Sequence, residues 1–270
     1  MELIKAMVLG VLQGLTEFLP ISSSGHLVIG SELMNFQEQG VVFDVFVHLG
    51  TLLAVVFFFR RELVEMVKAP FAFLQGDRSE SVKHFFMMDL YVIVATLPAV
   101  AVGLFLKDRV EILFGNILLV YCMLAVTGVI MIAARYLPQK DKPITWGRSV
   151  WVGCAQACAI MPGLSRSGST IFLGMVLGID REKIAKFSFI MSIPAILGAA
   201  VLQIGDIMVN PLDKGAFLNI GAGALMAAFS GYLAIKLLLD IIRKNRLQWF
   251  GYYCLLISAT GICYSLFVEV

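Results

Sequence analysis

Six stretches of this chain run for about twenty residues each with at most two charged side chains: 41–59, 85–106, 113–134, 187–205, 216–240 and 248–268. About twenty apolar residues in a helix cover the hydrocarbon core of a bilayer. No water is available at that depth, so every backbone N–H and C=O must find its partner within the protein. The runs are built from Leu, Val, Ile, Ala and Gly and lack the two-residue alternation of a barrel strand. The chain is therefore expected to be an all-α integral membrane protein with six transmembrane helices. Composition agrees, with 59% hydrophobic and 15% charged residues, against roughly a quarter charged in a soluble domain. At 270 residues it reads as one membrane domain, 1–270. No basic run suits a nucleic acid, so no nucleic-acid partner is expected. The five cysteines (Cys122, Cys154, Cys158, Cys254, Cys263) lie in apolar segments. Their odd number and loose spacing argue against a disulfide framework or a thiolate metal site.

Two regions, 3–34 and 147–179, behave differently. Each begins as an apolar helix, breaks at a polar cluster and resumes as a second short helix. The breaks are Pro20-Ile21-Ser22-Ser23-Ser24-Gly25-His26 and Pro162-Gly163-Leu164-Ser165-Arg166-Ser167-Gly168. Proline stops a helix and glycine permits the turn. The arms are short for two full spans, so each region is expected to be a re-entrant helical hairpin. Lys5 is the first region's one basic residue before Gln13 and Glu17 interrupt the run, so it reads as a retained helix rather than a cleaved signal. A shift of 143 positions lays Gly10 on Gly153, Gln13 on Gln156, Ser22 on Ser165, Ser24 on Ser167 and Gly25 on Gly168. Two repeats follow, about 1–138 and 139–270, each holding one hairpin and three spans. A hairpin returns to its own side and three spans do not, so the second repeat is expected to be inverted. Inverted repeats bring broken helices together near the midplane.

Of the 21 Lys and Arg, fifteen fall in 60–84, 135–148, 180–186 and 241–247, the connections on one side. The other side, with Met1, has Lys5, Lys107, Arg109 and Lys214. The positive-inside bias makes the rich side cytoplasmic and places both termini outside. Within the rich side, 61–75 mixes Arg61, Glu62, Glu65 and Lys68 with apolar residues and reads as a surface-lying amphipathic helix.

Ionisable groups inside a membrane are costly and invite a functional reading. Here they are Glu17, His26, Asp44, His48 and Arg166, with Asp89 and Lys236 near span ends, where snorkelling suffices. Gln13 and Glu17 are four apart and share a helix face. Ser22, Ser23 and Ser24 bring hydroxyls to the break, and a second arm starting near Ser24 or Gly25 offers its free N–H groups to an anion. His26 can exchange protons near neutral pH. Arg166 adds a planar fork suited to phosphate oxygens, and Ser165, Ser167 and Thr170 can donate beside it. These are the parts for phosphoryl transfer. Asp44 and His48, also four apart, are expected to hydrogen-bond to each other.

Gln13-Gly-Leu-Thr-Glu17-Phe-Leu-Pro-Ile-Ser22-Ser23-Ser24-Gly25-His26 and Pro162-Gly-Leu-Ser165-Arg166-Ser167-Gly-Ser-Thr170 resemble the two motifs of the undecaprenyl-diphosphate phosphatase (bacitracin-resistance) family. The run Phe43-Asp44 through His48-Leu49-Gly50-Thr51 to Arg60-Arg61 is similar to it as well, so the likeness covers nearly the whole chain. Where members of the family often carry a second Glu, this chain has Gln13. The resemblance implies hydrolysis of a polyprenyl diphosphate in a bacterial inner membrane, stimulated by a divalent cation (Mg or Ca) held by Glu17 and phosphate oxygens. It also implies an active site that opens outward. On this reading Ser23 attacks, and Glu17 or His26 takes its proton. Arg166, Ser165, Ser167, Thr170 and the serines of the first break hold the diphosphate. Direct attack by water, with Glu17 as base, is the alternative within this chemistry. A transporter or lipid flippase is the alternative outside it, because broken helices in inverted repeats also serve carriers. The sequence leaves open whether the chain works alone or as a homodimer.

Overall fold

The computed structural model describes residues 1–36, 40–106, 112–209 and 214–267. The helices that carry the fold among the described residues are α1 Glu2–Phe18, α2 Ser23–Leu33, α3 Gly40–Phe58, α4 Arg60–Leu74, α5 Glu80–Phe105, α6 Ile117–Ala134, α7 Trp146–Cys158, α8 Arg166–Val176, α9 Arg181–Val209, α10 Lys214–Arg243 and α11 Gln248–Phe267. Among the described residues there is no strand. Helices α5, α6, α9, α10 and α11 are long and apolar enough to cross a bilayer. The sixth expected span, α3, meets α4 at an 80° bend. The bend falls at Phe59-Arg60, where the apolar run ends and α4 takes up the amphipathic pattern. The chain is a multi-pass membrane protein.

Three of the Lys/Arg-rich connections, 135–148, 180–186 and 241–247, come together. Arg181 donates to the Leu137 carbonyl at 2.8 Å, Lys183 pairs with Asp141 at 2.6 Å, and Arg243 grips Glu182 with two bonds of 2.8 and 2.9 Å. At the end that holds Met1, Lys5 reaches the Asn35 carbonyl at 3.5 Å. Lys107 and Arg109 lie outside the described residues.

The two broken regions form two helical hairpins, α1–α2 and α7–α8, and each packs on a helix of the other half. Helix α1 lies chiefly against α10, and α7 against α5, while α6 and α11 pair with each other. Close approach at equivalent positions makes this fit. A Cβ on Gly10 would sit 2.2 Å from the Gly223 carbonyl oxygen, and one on Gly153 would sit 2.3 Å from that of Ala95. Below the first hairpin Phe18, Phe59 and Phe189 are fully buried, with Phe18 edge-on to Phe189 at 5.7 Å and Phe59 at 6.0 Å from it.

Candidate active site

The helices of each hairpin are separated by a short tight turn, and in both a serine caps the second arm. Ser22 is the N-cap of α2, its Oγ accepting the Gly25 N–H at 3.3 Å. Ser165 is the N-cap of α8, its Oγ accepting the Gly168 N–H at 3.1 Å. The capping serine sets the start of α2 at Ser23, one residue before the expected start. The first amides of each second arm, those of Ser23 and Ser24 and of Arg166 and Ser167, have no helical carbonyl to bond. Two positive helix ends thus converge.

The two tips touch. Ser167 Oγ donates to the Leu19 carbonyl at 3.4 Å. Arg166 Nη2 donates to Glu17 Oε1 at 2.8 Å, with only 6% of the Glu17 side chain and 16% of the Arg166 side chain exposed. The other oxygen of Glu17 accepts Ser23 Oγ at 2.6 Å and Gln13 Nε2 at 3.0 Å. Glu17 therefore joins the reacting groups of one hairpin to the cation of the other. A buried carboxylate and guanidinium persist only with such mutual bonds.

A cavity of about 610 Å³ opens over this junction. Glu17, Ser22, Ser23, Ser24, Ser165 and Arg166 line it. Four expected site residues stand elsewhere. Gln13 is fully buried behind Glu17. Ser167 and Thr170 are buried in α8, where Thr170 Oγ1 donates to the carbonyl of Arg166 at 2.8 Å and meets Ser188 Oγ at 2.7 Å. His26 is also outside the lining, with Nδ1 on the Ser22 carbonyl at 2.8 Å and Nε2 on the Tyr253 hydroxyl at 2.8 Å.

His48 and Asp44 do line the cavity, but they are not joined side chain to side chain. His48 Nδ1 bonds the main-chain carbonyl of Asp44 at 2.6 Å, which turns Nε2 toward Glu17 Oε2 at 3.7 Å. A ring four residues along a helix reaches the carbonyl below it as easily as the carboxylate. Sequence reasoning passed over Thr127, which takes the Ser165 N–H and donates to the Gly163 carbonyl, both at 3.0 Å. It also passed over Ser188 and Tyr253, single polar residues in apolar spans that meet the site only across helices.

Among the described residues, no three His, Cys, Asp or Glu side chains come together as a metal cage. One buried atom does lack a partner beside Glu17, the Gln13 carbonyl oxygen Oε1. Glu17, which lines the cavity, fits a hard cation that draws its remaining ligands from phosphate and water, as magnesium does, whereas Gln13 lies behind it.

The family model of the bacitracin resistance protein BacA matches residues 6–260. The chain belongs to the BacA family. Curated members named undecaprenyl-diphosphatase run alongside this BacA-family chain over nearly their whole length. The Methanobrevibacter smithii protein is 43% identical, covering 96% of each chain. The Desulfatibacillum aliphaticivorans protein is 39% identical over 96% of this chain and 98% of its own. The Rubrobacter xylanophilus protein is 39% identical over 96% and 97%. The BacA match spans both hairpins, and the tip residues described above fall within it.

Proposed function

We infer that this chain is a membrane phosphatase that hydrolyses undecaprenyl diphosphate to the monophosphate and inorganic phosphate. The observation that carries the reading is the Ser23–Glu17–Arg166 junction under a cavity, in a chain aligned end to end with proteins named for that activity. The reaction recycles the lipid carrier used in peptidoglycan and other wall polymers, in keeping with the bacitracin resistance in the family name.

The chemistry follows from the groups at the junction. Arg166 and the amides at the starts of α2 and α8 hold the terminal phosphate. Ser22, Ser24 and Ser165 add donors from the cavity wall. Ser23 Oγ attacks the terminal phosphorus as its proton passes to Glu17, and the bond to the bridging oxygen breaks as Glu17 passes that proton on to the departing lipid monophosphate. Water then attacks the phosphoserine, giving a proton to Glu17, and Ser23 Oγ recovers its proton as phosphate leaves. The 2.6 Å bond between Ser23 and Glu17 favours serine over water as the first nucleophile. Behind them Gln13, Ser167 and Thr170 hold Glu17 and the first turn of α8 in place. A divalent cation (Mg or Ca) held by Glu17 and phosphate oxygens would neutralise charge on the departing phosphate.

The cavity is proposed to open outward. Its α3 residues, Phe43 to His48, come from the end of that helix that follows 34–40, on the side of Met1. None of its lining belongs to the Lys/Arg-rich connections. The inverted arrangement of the repeats and the outward termini belong to this same reading. On a cysteine-free background, Asn35→Cys should then label from outside intact cells and Asp141→Cys should not; the opposite pattern reverses the orientation.

The deciding experiment is phosphate release from undecaprenyl diphosphate by the purified protein in detergent. Turnover by the wild type, abolished in Ser23→Ala, is expected. A Ser23→Ala protein with full turnover would move the attack to water, and a wild type with none would leave the carrier reading.

A further inference from the structure

We propose that His26 and Tyr253 form a clamp that shapes the first break, so that His26 positions Ser23 and the start of α2 instead of exchanging protons. The inference rests on the phosphatase reading above. Ser22 has φ 68° and ψ 97°. An L-residue held in such a region is strained, and it persists only where its surroundings fix it. Its carbonyl is what is fixed. It accepts the backbone N–H of His26 at 3.2 Å and the ring Nδ1 of His26 at 2.8 Å.

The direction of donation follows. A carbonyl only accepts, so Nδ1 carries the ring proton. The neutral ring then has its lone pair at Nε2, where the Tyr253 hydroxyl donates at 2.8 Å. The two rings stack with centroids 5.6 Å apart and planes 14° from parallel. Both ring nitrogens are thus engaged, the residue is buried, and it does not line the cavity. No nitrogen is left to face Ser23 or an attacking water. Tyr253 stands 227 positions away on α11, so the last helix of the second half locks the break of the first. If Ser22 relaxed, Ser23 Oγ would swing from Glu17 and the first amides of α2 would leave the phosphate. A misplacement of about 1 Å can cost a hundredfold in rate.

The test separates a clamp from a base. The side-chain nitrogen of Asn lies near the place of His Nδ1, so His26→Asn can still donate to the Ser22 carbonyl yet has no titratable nitrogen. We expect His26→Ala to lose about a hundredfold in kcat, with KM for undecaprenyl diphosphate within about twofold. His26→Asn should recover at least about tenfold of that loss and keep the wild-type pH profile. Tyr253→Phe, which keeps the stacked ring, should lose about three- to tenfold in kcat alone. Melting in detergent confirms that each variant is folded, and Tyr253→Phe carries the test if His26→Ala is not. His26→Asn as inactive as folded His26→Ala, or an altered pH profile, makes His26 a base and overturns the clamp. Full turnover in Tyr253→Phe removes Tyr253 from it. A wild type that releases no phosphate overturns the phosphatase reading instead.

Discussion

The two hairpins are built alike and equipped differently. Both cap the second arm with a serine whose Oγ takes the N–H three residues on, and both set a second serine hydroxyl beside it, Ser22 to Ser24 at 3.3 Å and Ser165 to Ser167 at 3.2 Å. At the next position the first hairpin has Ser23 and the second has Arg166. One hairpin thus presents a serine hydroxyl and its counterpart presents a cation from the same place. The first hairpin alone has a carboxylate, since the counterpart of Glu17 is Ile160. The left-handed backbone is also placed differently. In the second hairpin it falls on Gly163 (φ 89°), which tolerates it freely, and in the first on Ser22 (φ 68°) at the edge of the cavity. The same capped turn is made twice, and on the proposed function the substitutions between the two turns are what set reacting groups on one and a phosphate-binding cation on the other.

The largest effect is expected where the hairpins differ most. Glu17→Gln keeps the size of the side chain but removes the base, so turnover should fall roughly a thousandfold, within the range of general-base catalysis. It also leaves Arg166 without its anion. Substrate binding should change much less than kcat. If single-turnover phosphate release is unchanged, Glu17 is not the base and the asymmetry of the hairpins has another purpose.

Arg166→Lys comes next. The charge remains, but a lysine cannot bridge Glu17 and a phosphate with one planar fork. A loss of about a hundredfold in kcat/KM is expected, and a loss under fivefold would reduce Arg166 to a point charge.

Part of this comparison was legible in the chain. Gln13 and Glu17 could be paired from their spacing, because four residues make one face of a helix. Arg166 calls for an anion because a lone cation in a membrane is costly, and Glu17 is the buried carboxylate of the other broken region. Five of the six spans were legible because hydrocarbon thickness fixes their length, and the sixth, α3, passes only together with α4 across the 80° bend. His26 was not legible. Its position beside the serines pointed to the cavity, whereas its ring turns to a tyrosine far along the chain. Thr127 and Ser188 were missed for the same reason. Their bonds run between helices, and no local pattern announces a contact that only packing creates.

A milder effect should follow at the shared element. Ser165→Ala and Ser22→Ala each remove an N-cap, at about 1 kcal/mol of stability apiece. Both should lower the melting temperature in detergent, but Ser22→Ala should also lower turnover more, because its hydroxyl lines the cavity next to Ser23. Equal losses of turnover in the two would show that the caps are interchangeable and that the hairpins differ only at Glu17, Ser23 and Arg166.

The smallest effect tests the equivalent glutamines. Gln13 donates to Glu17, whereas both amide atoms of its counterpart, Gln156, are buried with no hydrogen-bond partner among the described residues. A buried polar group left unpaired costs on the order of 1–3 kcal/mol, so an apolar side chain of similar size should be no worse. Gln156→Leu should therefore leave phosphate release within about twofold of wild type and leave the melting temperature unchanged or raised. Gln13→Leu should cost about tenfold in turnover, since it strips a hydrogen bond from a charged group at the reacting centre. The same substitution at matched positions would then have opposite consequences. That outcome is what a once-symmetric frame predicts after one hairpin has kept its carboxylate and the other holds isoleucine in that place. A Gln156→Leu protein that melts several degrees lower would mean that the second glutamine also holds something, and that the two hairpins are less different than their hydrogen bonds make them.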